Sequence, residues 1–103
     1  MVFINRQAKI DLDNIVIGML EWEKIILTIP QVMNYVDDIV DICYKLDKTT
    51  IHVICKYVLH KKFGKFVYRY KRNKNTNWYI IYNVDENNNI FVNKILNNYK
   101  TTK

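Results

Sequence analysis

The residue types best suited to chemistry lie in one run, Phe63-Gly64-Lys65-Phe66-Val67-Tyr68-Arg69-Tyr70-Lys71-Arg72. Cations interleaved with flat rings suit a polyanion that also offers stackable bases, so nucleic acid is the first partner to expect. Charge along the rest of the chain points the same way. Residues 1–50 hold five Lys/Arg against eight Asp/Glu, and residues 51–103 hold eleven against two, so the net charge of +6 resides downstream of Thr50. Lys61, Lys62 and Lys65 are expected to form an electrostatic collar, which adds affinity without chemistry.

The other reactive residue types are few. Cys43 and Cys55 form no C-x-x-C pair and have no His at metal-ligand spacing, so both are read as small buried hydrophobes in a reducing, cytoplasmic setting. Asp37, Asp38 and Asp41 fall opposite an apolar helical stripe and are read as solvent-facing charge. His60 stands beside Lys61, whose charge disfavours the imidazolium. Neither a signal-peptide pattern nor a run of about 18 apolar residues is present, so no membrane association is expected.

These residues need a scaffold, and 103 residues, half of them apolar, suffice for one domain with one core. Val2-Phe3-Ile4 reads as a strand, and Ala8, Leu12, Ile15 and Met19 recur at helical spacing, with Gly18 and Trp22 suggesting a helix end around residues 18–23. Thr28-Ile29-Pro30-Gln31 combines an N-cap Thr, a Pro in the first turn and a capping-box Gln. It predicts an amphipathic helix over residues 28–46, with Ile29, Val32, Val36, Ile39, Cys43 and Leu46 facing inward. Residues 51–59 fit either a short helix or a strand. After Gly64 the period becomes two, and Val67, Arg69 and Lys71 share one strand face with Phe66, Tyr68 and Tyr70 on the other. Polar turns at 73–77 and 85–89 then separate the runs Trp78–Val84 and Ile90–Leu96, which makes a three-stranded antiparallel meander. Tyr79 and Tyr82 fall on opposite faces of the middle strand, so one is expected in the core and the other available; Trp78 is read as packing. The fold class expected is α+β, an N-terminal strand, two or three helices and the meander, with the helices packed on one sheet face.

That order, together with the segment from Trp78-Tyr79-Ile80-Ile81-Tyr82 through Asp85-Glu86-Asn87 to Asn97-Asn98-Tyr99, resembles the RelE/ParE superfamily of toxin–antitoxin toxins. The resemblance covers about the last forty residues in pattern and the helices by order. It implies a single domain over residues 1–103 and a ribosome-dependent messenger RNA endoribonuclease. In such enzymes the RNA 2′-hydroxyl attacks the adjacent phosphate with neither metal nor cofactor, so the protein supplies cations and proton-transfer groups. Carried over by position, Arg69 and Lys71 would stabilise charge on the phosphate, and Tyr99, preceded by Asn98, would position the nucleotide or transfer a proton. Lys61, Lys62, Lys65, Arg72, Lys74, Tyr79 and Lys94 complete the expected RNA-binding set. The implied partners are the ribosome with its messenger RNA and a small antitoxin whose helix covers the basic face.

The sequence departs from the family pattern at two points. Cleaving members place Arg directly after the aromatic of the third strand, where this chain has Tyr79, and the final segment has no His. The alternatives are therefore a ParE-like inhibitor that acts on a topoisomerase through protein contacts, and a non-catalytic RNA- or protein-binding module.

Overall fold

The structure, a computed structural model, describes the chain except residues 22–27, 50, 73, 75 and 98–103, and the side chains of residues 20 and 21. Trp22, Asn98 and Tyr99 thus lie outside the described residues. The element order is β1 (Val2–Ile4), α1 (Arg6–Glu21), α2 (Ile29–Tyr44), a 3-10 turn (Leu46–Lys48), β2 (Val53–Ile54), α3 (Val58–Lys61), β3 (Phe66–Lys71), β4 (Asn77–Val84) and β5 (Ile90–Asn97).

The capping box forms as expected: the Gln31 backbone N–H donates to Thr28 Oγ1 at 3.3 Å, and Thr28 N–H donates to Gln31 Oε1 at 2.9 Å. Val32, Val36, Ile39 and Cys43 are buried as expected, but Ile29 in the first turn is exposed. α1 ends at Glu21, inside the expected window of residues 18–23. Residues 51–59 hold both alternatives in miniature, the two-residue β2 and the start of the four-residue α3.

All five strands form one mixed sheet in the order β1-β5-β4-β3-β2. β4 pairs antiparallel with both β3 and β5, β2 adds antiparallel to β3, and β1 lies parallel to β5 with Val2 opposite Ile90 and Ile4 opposite Val92. The sheet therefore extends beyond the expected meander at both margins. Helices α1 and α2 cover one face, where Ala8, Leu12, Val36, Ile39, Cys43 and Leu46 meet Trp78, Ile80, Tyr82, Ile90, Val92 and Ile95.

The spacing Ile90, Val92, Ile95 breaks strict alternation, and a bulge repairs it. Ile81 pairs with Lys94 and Tyr82 with Val92, so Asn93 is the extra residue that returns Ile95 to the helix-covered face. Asn93 Nδ2 is held by the Phe63 carbonyl at 2.8 Å, and its Oδ1 accepts from Asn5 Nδ2.

The expectation that helices lie on one face needs correction. Tyr79 and Ile81 point to the opposite face by alternation, yet both are buried. α3 and the Phe63-Gly64 turn cover them: His60 packs on Tyr79 with ring centroids 4.9 Å apart, and a Cβ at Gly64 would stand 3.0 Å from Ile81 Cγ2 and 3.1 Å from the Tyr82 carbonyl oxygen. A side chain at residue 64 would push that turn off the sheet. Because both faces are covered, Tyr79 and Tyr82 are both core residues rather than one core and one free.

Beyond Val92, β5 has no β1 residue beside it. The carboxylate of Asp11, on α1, fills that place: Oδ2 accepts the Ile95 backbone N–H at 3.0 Å, while Oδ1 accepts from Lys94 Nζ at 2.8 Å and Gln7 Nε2 at 3.2 Å. Replacing Asp11 by Ala leaves a buried N–H and a half-buried ammonium without their acceptor, and should cost about 2–3 kcal/mol in chemical denaturation. Asp11→Asn keeps an acceptor for Ile95 and should cost less; equal losses for the two variants would show that the ion pair, not the backbone cap, carries the effect.

Candidate functional site

Strand alternation places Val67, Arg69 and Lys71 of β3 on the face opposite α1 and α2, opposite Ile81, Tyr79 and Asn77 of β4 in register. Arg69 and Lys71 are both exposed, and among the described residues neither has an acidic partner. The basic face expected from the alternating sequence is thus present, with its two cations one pleat repeat, about 7 Å, apart.

Next to it is a concavity of about 340 Å³ lined by Val53, Ile54, Lys56, Tyr57, His60, Val67, Arg69 and Tyr79. β2 forms one wall, α3 with its N-cap residue Tyr57 forms the other, and the floor is the β3–β4 pair. α3 is one turn long, so it roofs Tyr79 but stops short of Lys71. The result is an apolar, aromatic hollow with Lys56 and Arg69 at its margin.

His60 is the unusual member of this set. It is 1% exposed, and among the described residues neither ring nitrogen has a hydrogen-bond partner. Its ring is held by aromatic contacts alone, edge-on to Tyr57 at 5.1 Å and tilted on Tyr79 at 4.9 Å. Burial lowers its pKa from the ordinary 6.5, so the neutral form is favoured. The direction expected from the neighbouring Lys61 charge is the same, but desolvation is the cause. His52, by contrast, is satisfied: its Nδ1 lies 2.8 Å from the Tyr82 hydroxyl, and burial pushes that phenol up to about 12.

The structure separates the remaining basic residues into two groups. Lys61, Lys62, Lys65 and Lys74 are exposed; Lys61, Lys62 and Lys65 flank the α3–β3 turn, whereas Lys74 lies in the β3–β4 connection at the far end. Arg72 and Lys94 are engaged internally. The Arg72 guanidinium pairs with Asp38 of α2, stacks over the Tyr35 ring at 4.2 Å and donates to the Tyr70 hydroxyl at 3.1 Å. Tyr35 also accepts from Trp78 Nε1 at 2.8 Å. Asp38 is accordingly a tether between α2 and the sheet rather than simply solvated charge. Lys94 is bound to Asp11 with its ammonium 5.3 Å from the Phe63 ring centre. Tyr79, expected to meet RNA, is floor of the hollow and 9% exposed. Tyr99 lies outside the described residues.

Sequence reasoning missed Lys56 and Tyr57 and passed over His60. The signal available was Cys55-Lys56-Tyr57 leading into Leu59-His60-Lys61, a polar-aromatic cluster immediately before the basic run. Cys43 and Cys55 are free and buried as expected, and burial pushes the Cys43 thiol up to about 12. Among the described residues no group of three or more His, Cys, Asp or Glu could hold a metal ion, and no helix is long and apolar enough to cross a membrane.

No protein-family model, curated protein or solved structure matches the chain. The site is therefore read from its own chemistry.

Because folding lowers the His60 pKa, the unfolded chain takes up this proton first as the pH falls. His60 thus adds no proton-linked cost above its ordinary pKa of 6.5, and the fold loses stability as pH drops from there through the lower folded value. Denaturation midpoints measured between pH 7.5 and 5 should fall in the wild type and fall less in His60→Phe. Parallel curves would assign the pH dependence to other groups.

Proposed function

We propose that this protein acts on RNA through the open face of β3, as an endoribonuclease toxin of the RelE/ParE kind that cleaves messenger RNA on the ribosome. The observation that carries the reading is the pair Arg69 and Lys71, exposed on one strand face beside an aromatic hollow and not neutralised by any described acid. Support also comes from the element order, in which a strand and two helices precede an antiparallel β3–β4–β5 unit.

In this reading the RNA backbone lies along β3. Arg69 and Lys71 neutralise the phosphate as the 2′-hydroxyl gives up its proton and attacks, negative charge builds on the equatorial oxygens, and the P–O5′ bond breaks to leave a 2′,3′-cyclic phosphate and a 5′-hydroxyl that takes up a proton. Two fixed cations lower that barrier without a bound cofactor. Lys61, Lys62, Lys65 and Lys74 draw the strand in from either end of the face. Arg72 and Lys94 act indirectly, by fixing α2 and α1 against the sheet that carries the site. Tyr99 completes the family pattern as the residue that orients the nucleotide or moves a proton. An antitoxin would gain both charge and apolar contact here, since Val53, Ile54 and Val58 are exposed beside the basic face.

One observation favours a second reading. Cleaving members carry Arg where this chain has Tyr79, and Tyr79 is packed under His60. With no cation from β4, the face is better equipped for binding than for strong transition-state stabilisation, as in a ParE-like inhibitor that poisons a topoisomerase by protein contact.

The test is primer extension on a defined messenger RNA after adding purified protein to programmed ribosomes. Cuts at A-site codons are expected, reduced by roughly 100-fold or more in the Arg69→Ala/Lys71→Ala double variant with its circular dichroism unchanged. Absence of cuts from folded wild-type protein, together with trapped topoisomerase–DNA complexes, would replace the first reading with the second.

A further inference from the structure

The hollow beside Arg69 has features that charge neutralisation on an open strand face does not require. It is enclosed on two sides, its walls are mostly apolar or aromatic, and it contains a buried imidazole whose two nitrogens have no partner among the described residues. A buried polar group left unpaired costs about 1–3 kcal/mol, which a fold does not retain in its core without some return. A neutral imidazole presents one donor and one acceptor, as the hydrogen-bonding edge of a nucleobase does. At about 340 Å³ the hollow also has room for a heteroaromatic ring with part of its sugar.

We propose that this concavity is a nucleotide subsite, in which one base leaves the RNA strand and enters between β2 and α3 against His60, while its phosphate rests on Arg69 and Lys56. The proposal rests on the RNA reading of the β3 face and names where a single nucleotide of that RNA is held. Val53, Ile54 and Val67 cover the faces of the ring, and the half-exposed Tyr57 ring offers a stacking surface. The His60 nitrogens have no solvent-exposed area, so the base reaches them as Tyr57 swings outward. Tyr57 is the wall able to do so, because it is the N-cap of a four-residue helix and makes no side-chain capping bond. Lys56 and Arg69 stay at the margin, where a phosphate joined to a buried base must lie. His60 here is a positioning residue that contacts the base, and the reacting phosphate belongs to Arg69 and Lys71.

The test follows the imidazole nitrogens of His60 by long-range proton–nitrogen NMR while AMP, CMP, GMP or UMP, and separately a ten-nucleotide single-stranded RNA, are titrated into the whole chain. At least one monophosphate and the RNA should shift the His60 nitrogens. His60→Phe, which keeps the ring volume, should weaken monophosphate binding tenfold or more. Val53→Trp plugs the hollow from an exposed wall and should do the same, so the outcome does not depend on the core variant folding. RNA that shifts the Arg69 and Lys71 amides but leaves His60 unmoved, with Val53→Trp binding as the wild type does, would overturn the subsite and leave the RNA reading standing. A monophosphate that moves His60 when the RNA does not bind would support the subsite as a free-nucleotide site and overturn the RNA reading. Binding of neither probe would overturn both.

Discussion

The fold depends on what happens to β5 after β1 ends. β1 is three residues long and covers only the first part of β5, so the backbone beyond Val92 would face a helix without a hydrogen-bonding strand. One carboxylate, Asp11, completes that edge by taking the Ile95 N–H and the Lys94 ammonium together. Since Asp11 belongs to α1, the same contact fixes the helical layer against the sheet at the point where the Asn93 bulge has shifted the strand. An open strand edge inside a small protein invites register slip, and here Asp11 ties strand and helix together while Asn5 and the Phe63 carbonyl hold the Asn93 bulge.

The division of charge between the two halves of the chain takes on a structural meaning in this light. Acids of the first half do not merely balance the basic second half at a distance. Asp11 holds Lys94, Asp38 holds Arg72, and Asp47 lies 3.5 Å from the chain's amino group. Each pair joins a helix or its flanking turn to the sheet or its first strand. The cations left over on β3 are those that no helix reaches, because α1 and α2 occupy the other face and α3 is too short. Which basic residues remain available is therefore a result of topology as much as of composition.

The parts of the fold legible in the sequence are those in which local chemistry and tertiary packing agree. Thr28-Ile29-Pro30-Gln31 announces α2 because the cap, the proline and the apolar stripe all require the same start. The alternation from Phe66 to Lys71 survives in part: Phe66 and Tyr70 pack against the core and Arg69 and Lys71 are exposed, but Tyr68 on the inner face is exposed and Val67 on the outer face is half-buried. β4 misled for the opposite reason: with both faces covered, Tyr79 and Tyr82 are equally buried, and alternation no longer separates inside from outside. β2 is two residues long and α3 four, below the length at which either period can be read. The Asn93 bulge left no signal beyond the irregular spacing of Val92 and Ile95. In the site, Arg69 and Lys71 were legible as a face, whereas the contribution of His60 depends on a turn at Gly64 that brings distant backbone against β4.

The parallel pairing of β1 with β5 also governs when this protein can exist as a folded object. Contacts such as Asn5 with Asn93 join residues 88 positions apart, so nearly the whole chain must be gathered into one loop before the first strand finds its neighbour. During synthesis α1 and α2 can form, but their apolar faces have no complete sheet to rest on until β5 has left the ribosomal tunnel. Folding is thus tied to the emergence of β5 rather than to the helices that precede it, and until then the nascent segment presents helices without a core, the kind of surface that chaperones hold.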